Sequence, residues 1–247
     1  MNKYGNILTM LLVIFIVAIL GILGYFAYDL LNSNNINKNA QSTIQEFESS
    51  TQTVKNNRTN TVKNTTVENT VTETETNTVE VDPSVNPLEQ LNQLTQNQVE
   101  NNTTVEPTDE EREKVFMEDY EVMGTIKIPK TGIEYPVLDS VTKRSLELSV
   151  GIAYGPGLNE VGNTIIYGHN YRNGLFFSDN KKLANGDLIY ITDARGETVT
   201  YEIYNIYQTT PNDASYFTRD TEGRREISLQ TCTDDSSARI IVWAAEK

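Results

Sequence analysis

The chain has 247 residues, with 34 acidic against 20 basic side chains and a formal net charge of −14. One Cys excludes an intramolecular disulfide framework and a Cys-rich zinc site, and one His excludes His-cluster metal chemistry, so neither a metal nor a cofactor is expected. The acidity opposes binding to a phosphate backbone, so no nucleic-acid partner is expected.

Residues 7–28 form a run of 22 residues without a charge, dominated by Leu, Ile, Val, Phe, Ala and Gly. As a helix this run is ~33 Å long, enough for a hydrocarbon core of about 30 Å. Lys3 before it and Asp29 after it favour an inside N-terminus and an outside remainder. A cleaved signal peptide is the competing reading, but its apolar region would be only about 7–15 residues. Phe26-Ala27-Tyr28-Asp29 is also a poor cleavage site. Residues 1–32 are therefore expected to be an uncleaved, single-pass anchor in the cell membrane. Residues 33–108 contain no Gly, no Cys and one aromatic, Phe47, amid Asn, Thr, Gln, Glu and Val. Such a composition buries too little apolar surface to offset chain entropy, which predicts a disordered stalk with an r.m.s. span of about 50 Å.

Residues 109–247 hold the Cys, the His and the Trp, and have the length of one folded domain. Thr108-Asp109-Glu110-Glu111 after Pro107 has capping-box spacing and predicts a helix over 109–120. Short strands are expected next, at 122–128 and at 133–138, the latter an edge strand because Pro136 interrupts it. A helical turn is expected at 144–150 and a strand at 164–167. Two strands at 188–192 and 198–207 flank Asp193-Ala194-Arg195-Gly196-Glu197 and read as a hairpin, followed by strands at 226–231 and 239–244. Seven or eight short strands with one or two helices predict a mostly-β barrel.

Cys232 ends one of these strands, before the polar turn Thr233-Asp234-Asp235-Ser236-Ser237. A buried Cys acting as a small hydrophobe is the plain alternative. In a domain expected outside the membrane, however, an unpaired thiol is an oxidation liability. His169 also projects from a strand end, after Asn163-Thr164-Ile165-Ile166-Tyr167-Gly168. Together the two are candidates for a thiol nucleophile and its general acid/base. Arg239 opens the last strand, where a short turn would return it close to Cys232. There it could donate to a developing oxyanion, or simply pair with Asp234 or Asp235 at the surface. Phe176 and Phe177 read as core packing before groove walls, and Asp234 and Asp235 as a solvated turn.

Ser228-Leu229-Gln230-Thr231-Cys232 followed by Arg239 resembles the nucleophile signature of sortases, the cysteine transpeptidases of Gram-positive cell surfaces, with Ser228 in place of the usual Thr. Residues 163–169 resemble the strand that leads into that family's His. Gly124-Thr125-Ile126-Lys127-Ile128-Pro129-Lys130 and Pro136-Val137 resemble its first two strands. The resemblance covers 109–247 and implies an eight-stranded sortase-type β-barrel with one or two short helices. It implies that Cys232 attacks the Thr carbonyl of a Leu-Pro-x-Thr-Gly sorting motif to give a thioacyl enzyme. An amine from a peptidoglycan precursor or a pilin then resolves it. His169 would move the protons and Arg239 would hold the oxyanion or orient the motif. Leu229, Thr231, Tyr216 and Phe217 are the implied substrate contacts, and residues 208–225 the implied reader of substrate sequence, with Arg219, Arg224 and Arg225 making it locally basic. The short interval from Cys232 to Arg239, with no long helical insertion before the nucleophile strand, disfavours the class with a large helix there. The lack of an Asp-Pro lid segment disfavours a pilin polymerase, which leaves class B-like, class D-like and general anchoring members open.

Two other classes of function compete. A cysteine peptidase or amidase acting on cell-wall peptides usually places Cys before His in the chain, the reverse of the order here. A non-catalytic stalked surface-binding module would leave Cys232 and His169 incidental.

Overall fold

The computed structural model describes residues 3–66 and 113–247. Helix α1 (Lys3–Thr66) starts in the apolar run and continues well past it. Its N-terminal part is long and apolar enough to cross a membrane and is not buried. The helix does not stop at residue 32, and this departs from the disordered stalk expected over 33–66. Composition averaged over that stretch conceals a stripe: Ile36, Ala40, Ile44 and Phe47 recur at helical spacing, and the last three are buried. Phe47 packs with Val115, Met117, Val122 and Leu138, and Ala40 joins the main core. Asn37 Oδ1 accepts a hydrogen bond from the Tyr135 hydroxyl at 2.8 Å. Helix α1 up to Gln52 and the chain from Glu113 onward thus form one compact unit. The rest of the expected stalk, 67–108, lies outside the described residues, as does the start of the helix expected at 109–120.

A Phe47→Ala variant is expected to release this helix as a unit while the barrel stays folded, because the contact is local and the barrel closes without it. Amide exchange over 40–50 should accelerate at least about tenfold, with the barrel amides unchanged, as read by mass spectrometry.

Where the end of the 109–120 helix was expected, two strands appear instead: β1 (Phe116–Met117) and the start of β2 (Tyr120–Ile128). Val115, Met117 and Val122 are buried against Phe47, and this tertiary contact overrides the local capping signal. Strand β3 (Ile133–Leu138) pairs antiparallel with β2, and helix α2 (Lys143–Leu148) is capped by Thr142. Strand β4 (Val150–Tyr154), which the sequence reading did not separate from the preceding turn, pairs parallel with β3. Strand β3 is therefore internal, not an edge. Pro136 is tolerated because β4 meets only Val137 and Leu138, while the Pro136 carbonyl is satisfied by the Ser149 hydroxyl at 2.5 Å.

Strands β5 (Gly162–Tyr167), β6 (Leu188–Asp193), β7 (Thr198–Thr209), β8 (Arg225–Cys232) and β9 (Arg239–Glu246) complete the sheet. A 3-10 turn at Asn180–Lys182 lies between β5 and β6. The order is β1-β2-β3-β4-β5-β8-β9-β7-β6, and β6 pairs back onto β2. Eight strands, β2 to β9, thus close a barrel, and the two-residue β1 lies outside the circuit. Ile126, Val137, Ile166, Ile191, Leu229 and Val242 are among the fully buried residues of its core.

Candidate active site

Register decides which side chains meet. Strands β5 and β8 run parallel, with Asn163 opposite Glu226, Ile165 opposite Ser228 and Tyr167 opposite Gln230. Alternate residues share a face, so the next positions on that face are His169 and Cys232, each just past the last pair. On the other side of β8, antiparallel β9 sets Arg239 directly opposite Cys232. The three residues singled out in the sequence therefore sit at the same end of three adjacent strands, on the outer face of the barrel. The intervening positions, Leu229 and Thr231, turn the other way and are buried. Their side chains face the core, which leaves their backbone as the part that can line the site.

Gly168 sets the approach to His169. Its N–H donates to the Gln230 carbonyl at 3.1 Å, holding the chain against β8 beyond the last strand pair. A Cβ there would lie 2.6 Å from the Phe177 ring and 2.9 Å from Val150. Phe176 and Phe177 are fully buried, so both belong to the core side of this loop. The His169 ring packs on Tyr171 at 4.8 Å, Tyr171 on Phe176 at 5.8 Å, and Phe176 on Tyr135 at 5.0 Å. Asn170, unmarked in the sequence reading, clamps the site: its Nδ2 donates to the Cys232 carbonyl and to Asp234 Oδ1, both at 2.9 Å. An Asn directly after the only His was the available signal. Asp234 also pairs with Lys181 at 2.7 Å, and the hydrogen bonds from Lys181 and Asn170 hold its carboxyl below the usual range. Asp235 braces its own turn through Thr233 and Ser237, which lower its pKa to about 2. Arg239 donates to the Ala238 carbonyl at 3.1 Å and to the Ser236 carbonyl at 3.4 Å. Both neighbouring carboxylates are thus engaged elsewhere, and the surface ion pair considered for Arg239 does not form. Cys232 is half-buried.

Burial pushes the His169 pKa below 6.5, and the negative charge of Glu147 pulls it partly back. A lowered pKa in the folded state means that the unfolded chain binds the proton more readily. The contribution to stability is full above the unfolded pKa of about 6.5 and is lost as pH falls through the folded value. Thermal unfolding of wild type should therefore lose more stability between pH 7 and 5 than His169→Gln does. Parallel profiles would show that His169 carries no buried-imidazole penalty.

The segment between β7 and β8 covers the outer face of β5, β8 and β9. Tyr216 is buried and donates its hydroxyl to Gln230, and its carbonyl accepts from Asn163 Nδ2 at 2.9 Å. Phe217 packs on Tyr216 at 4.9 Å and on Tyr154 at 5.5 Å, beside an open recess that also includes Gly155, Pro156 and Arg219. The three arginines expected to make this segment basic are largely spent internally. Arg219 and Arg224 pair with the buried Glu226, and Arg225 pairs with Glu197. Of the four residues expected to touch substrate, Phe217 lines an open surface and Tyr216 supports it from below.

Residues 126–247 match the sortase domain family model. The chain is 33% identical over 125 residues to sortase A of Bacillus anthracis, covering 49% of this chain and 58% of that protein. It is 28% identical over 130 residues to sortase A of Streptococcus agalactiae, covering 50% of this chain and 52% of that protein. The chain thus spans a little over half the length of these curated relatives. Among solved structures, a lid mutant of sortase A from Corynebacterium diphtheriae aligns with a TM-score of 0.48 and 29% identity, over 52% of this chain and 71% of that one. Residues 126–247, the part of the chain that carries His169, Cys232 and Arg239, are a sortase domain.

Proposed function

We propose that the protein is a membrane-anchored cysteine transpeptidase that acts on surface proteins bearing a C-terminal sorting signal of the Leu-Pro-x-Thr-Gly kind. The observation that carries this reading is the shared end and face of β5, β8 and β9, where His169, Cys232 and Arg239 converge. The Cys232 thiol gives its proton to His169 and its sulfur attacks the Thr carbonyl of the motif, and the developing oxyanion is held by the Arg239 guanidinium, which stays charged at any working pH. Collapse breaks the Thr–Gly bond. His169 gives a proton to the leaving amine, and a thioester joins the motif's acyl group to Cys232. An amine from a peptidoglycan precursor or a pilin then enters, His169 takes its proton, and the new amide forms as the thiol leaves. With residues 7–28 as the anchor, the barrel stands outside the cell membrane of a Gram-positive cell.

The test is incubation of the full chain in detergent with a panel of sorting-motif peptides, with and without an amine acceptor. Expected products are the cleaved peptide, its amine conjugate, and a hydroxamate when hydroxylamine intercepts the thioester, all read by mass spectrometry. No cleavage with any peptide, or equal cleavage by Cys232→Ala, would sink the proposal.

A further inference from the structure

Helix α1 runs without a break from the apolar stretch 7–28 into the segment that docks on the barrel. The docking therefore fixes how the barrel stands relative to anything the apolar stretch is embedded in. Ser33 lies five residues beyond Tyr28, a rise of ~7.5 Å, while the headgroup layer outside the hydrocarbon core is about 5–7 Å thick. At that height Asn173 Nδ2 donates to Ser33 Oγ at 3.3 Å, and Asn173 belongs to the loop after His169. Asn37, ~13 Å beyond Tyr28, meets Tyr135, and Phe47, ~28 Å beyond it, shares a buried cluster with Leu138. Strand β3 thus climbs away from the level of Tyr28 as it runs from Tyr135 to Leu138.

Topology supplies a second, independent line. Strand β4 is parallel to β3, β5 is antiparallel to β4, and β8 is parallel to β5. Strands β5 and β8 therefore descend, and their ends, with His169 and Cys232, point toward the level of the apolar stretch. The loop contact at Asn173 and the strand directions agree. Asn170 closes the geometry: it bonds the Cys232 carbonyl at 2.9 Å and stands three residues from Asn173, about 10 Å of extended chain.

We propose that the docked part of α1 holds the barrel upright on the bilayer with the loop 170–174 against the lipid headgroups, so that the Cys232–His169 end of the barrel opens at the membrane surface. This rests on reading residues 7–28 as a membrane span. Tyr171 and Arg172, both exposed on that loop, are residue types that suit the interface, an amphipathic ring and a cation on a long apolar stem. The β2–β3 turn, with exposed Lys130, lies on the same low side because β3 rises from it. The site's height is then set by residues 33–51 and not by the length of chain between α1 and the barrel. Reaction partners held in the same membrane meet the thiol without leaving the surface.

The test uses the full chain in nanodiscs of phosphatidylcholine and phosphatidylglycerol, with the photo-crosslinking residue benzoylphenylalanine placed at Arg172 or, as a control, at Glu160. Glu160 precedes β5, and that strand of six residues puts it ~20 Å farther from the bilayer. Lipid adducts at position 172 should exceed those at 160 by about tenfold or more. Ala40→Glu, which places a charge in the buried helix contact, should remove the excess at 172 while the circular dichroism of the barrel persists. Adducts at neither position, equal adducts at both, or an excess at 172 that survives Ala40→Glu in a folded barrel would overturn the proposal. Cleavage of a soluble sorting peptide by the same preparations reads the transpeptidase assignment separately, since that peptide has no need of the bilayer.

Discussion

Cys232→Ala is expected to bring peptide turnover to background, a loss of about 10⁴-fold or more, with the fold unchanged. The sequence contains no second thiol, so in the proposed reaction nothing else could carry the acyl group between the two steps. The site offers no water-activating alternative of comparable quality either, because the neighbouring carboxylates are committed to Lys181, Asn170 and the β8–β9 turn. His169→Ala should cost nearly as much, and the double variant should be no slower than either single one, since residues acting as one unit lose their effect together. Arg239→Lys keeps a charge but loses the planar fork, and should fall between wild type and Arg239→Ala. The measurement is kcat/KM for cleavage by each purified variant, with circular dichroism as the control for folding. Cys232→Ala retaining more than a few per cent of wild-type rate would exclude covalent catalysis through this thiol. A double variant much slower than both singles would separate His169 from Cys232 and place them in independent roles.

The convergence of the candidate residues was legible because scarcity and position coincided: the only Cys and the only His each close a β-branched or apolar run at a strand end. Most strands were legible for the same reason, since period-2 runs between turn residues are a local signal. Three features depended on contacts distant in sequence. Helix α1 beyond residue 32 is helical with a buried stripe, and the stripe has meaning only when β1 to β3 are there to cover it. Strand β1 exists because Val115 and Met117 meet Phe47, and the capping signal before it says nothing of that. Strand β3 is internal because β4 reaches it after a short helix, which no local pattern announces. The inward turn of Leu229 and Thr231 follows from counting two residues at a time back from Cys232, a test that the sequence alone permitted once Cys232 was taken as facing out.

Arg219→Ala is expected to produce a large stability loss for a polar residue outside the candidate site. Glu226 lies on the same face of β8 as Cys232, six residues before it, and its side chain has no exposed surface. Its carboxylate is held by Arg219, by Arg224 at 2.8 Å and by the Tyr204 hydroxyl at 2.7 Å. Arg219 is itself almost buried, stacks on Trp243 at 4.6 Å, and donates to Asn163 Oδ1 at 3.0 Å. The other end of that Asn163 amide holds the Tyr216 carbonyl, so one guanidinium ties the segment 210–224 to β5, β8 and β9 together. Removing it strips a buried charge of its better partner, a loss that typically costs about 3–5 kcal/mol. Arg224 is half exposed and remains, so the lower end is expected, about 3 kcal/mol and a fall in Tm on the order of 10 °C. Glu226→Gln in the Arg219→Ala background should recover part of the loss, because a neutral amide tolerates burial where an unpaired carboxylate does not. The same variant should raise KM for the sorting peptide several-fold and leave kcat within about threefold, since the wall bearing Phe217 loosens while Cys232, His169 and Arg239 keep their strand positions. Thermal unfolding and the KM-against-kcat split together decide the matter. A Tm within 2 °C of wild type would mean that Arg224 alone satisfies Glu226, and a fall in kcat larger than the rise in KM would mean that the network reaches the reacting groups themselves.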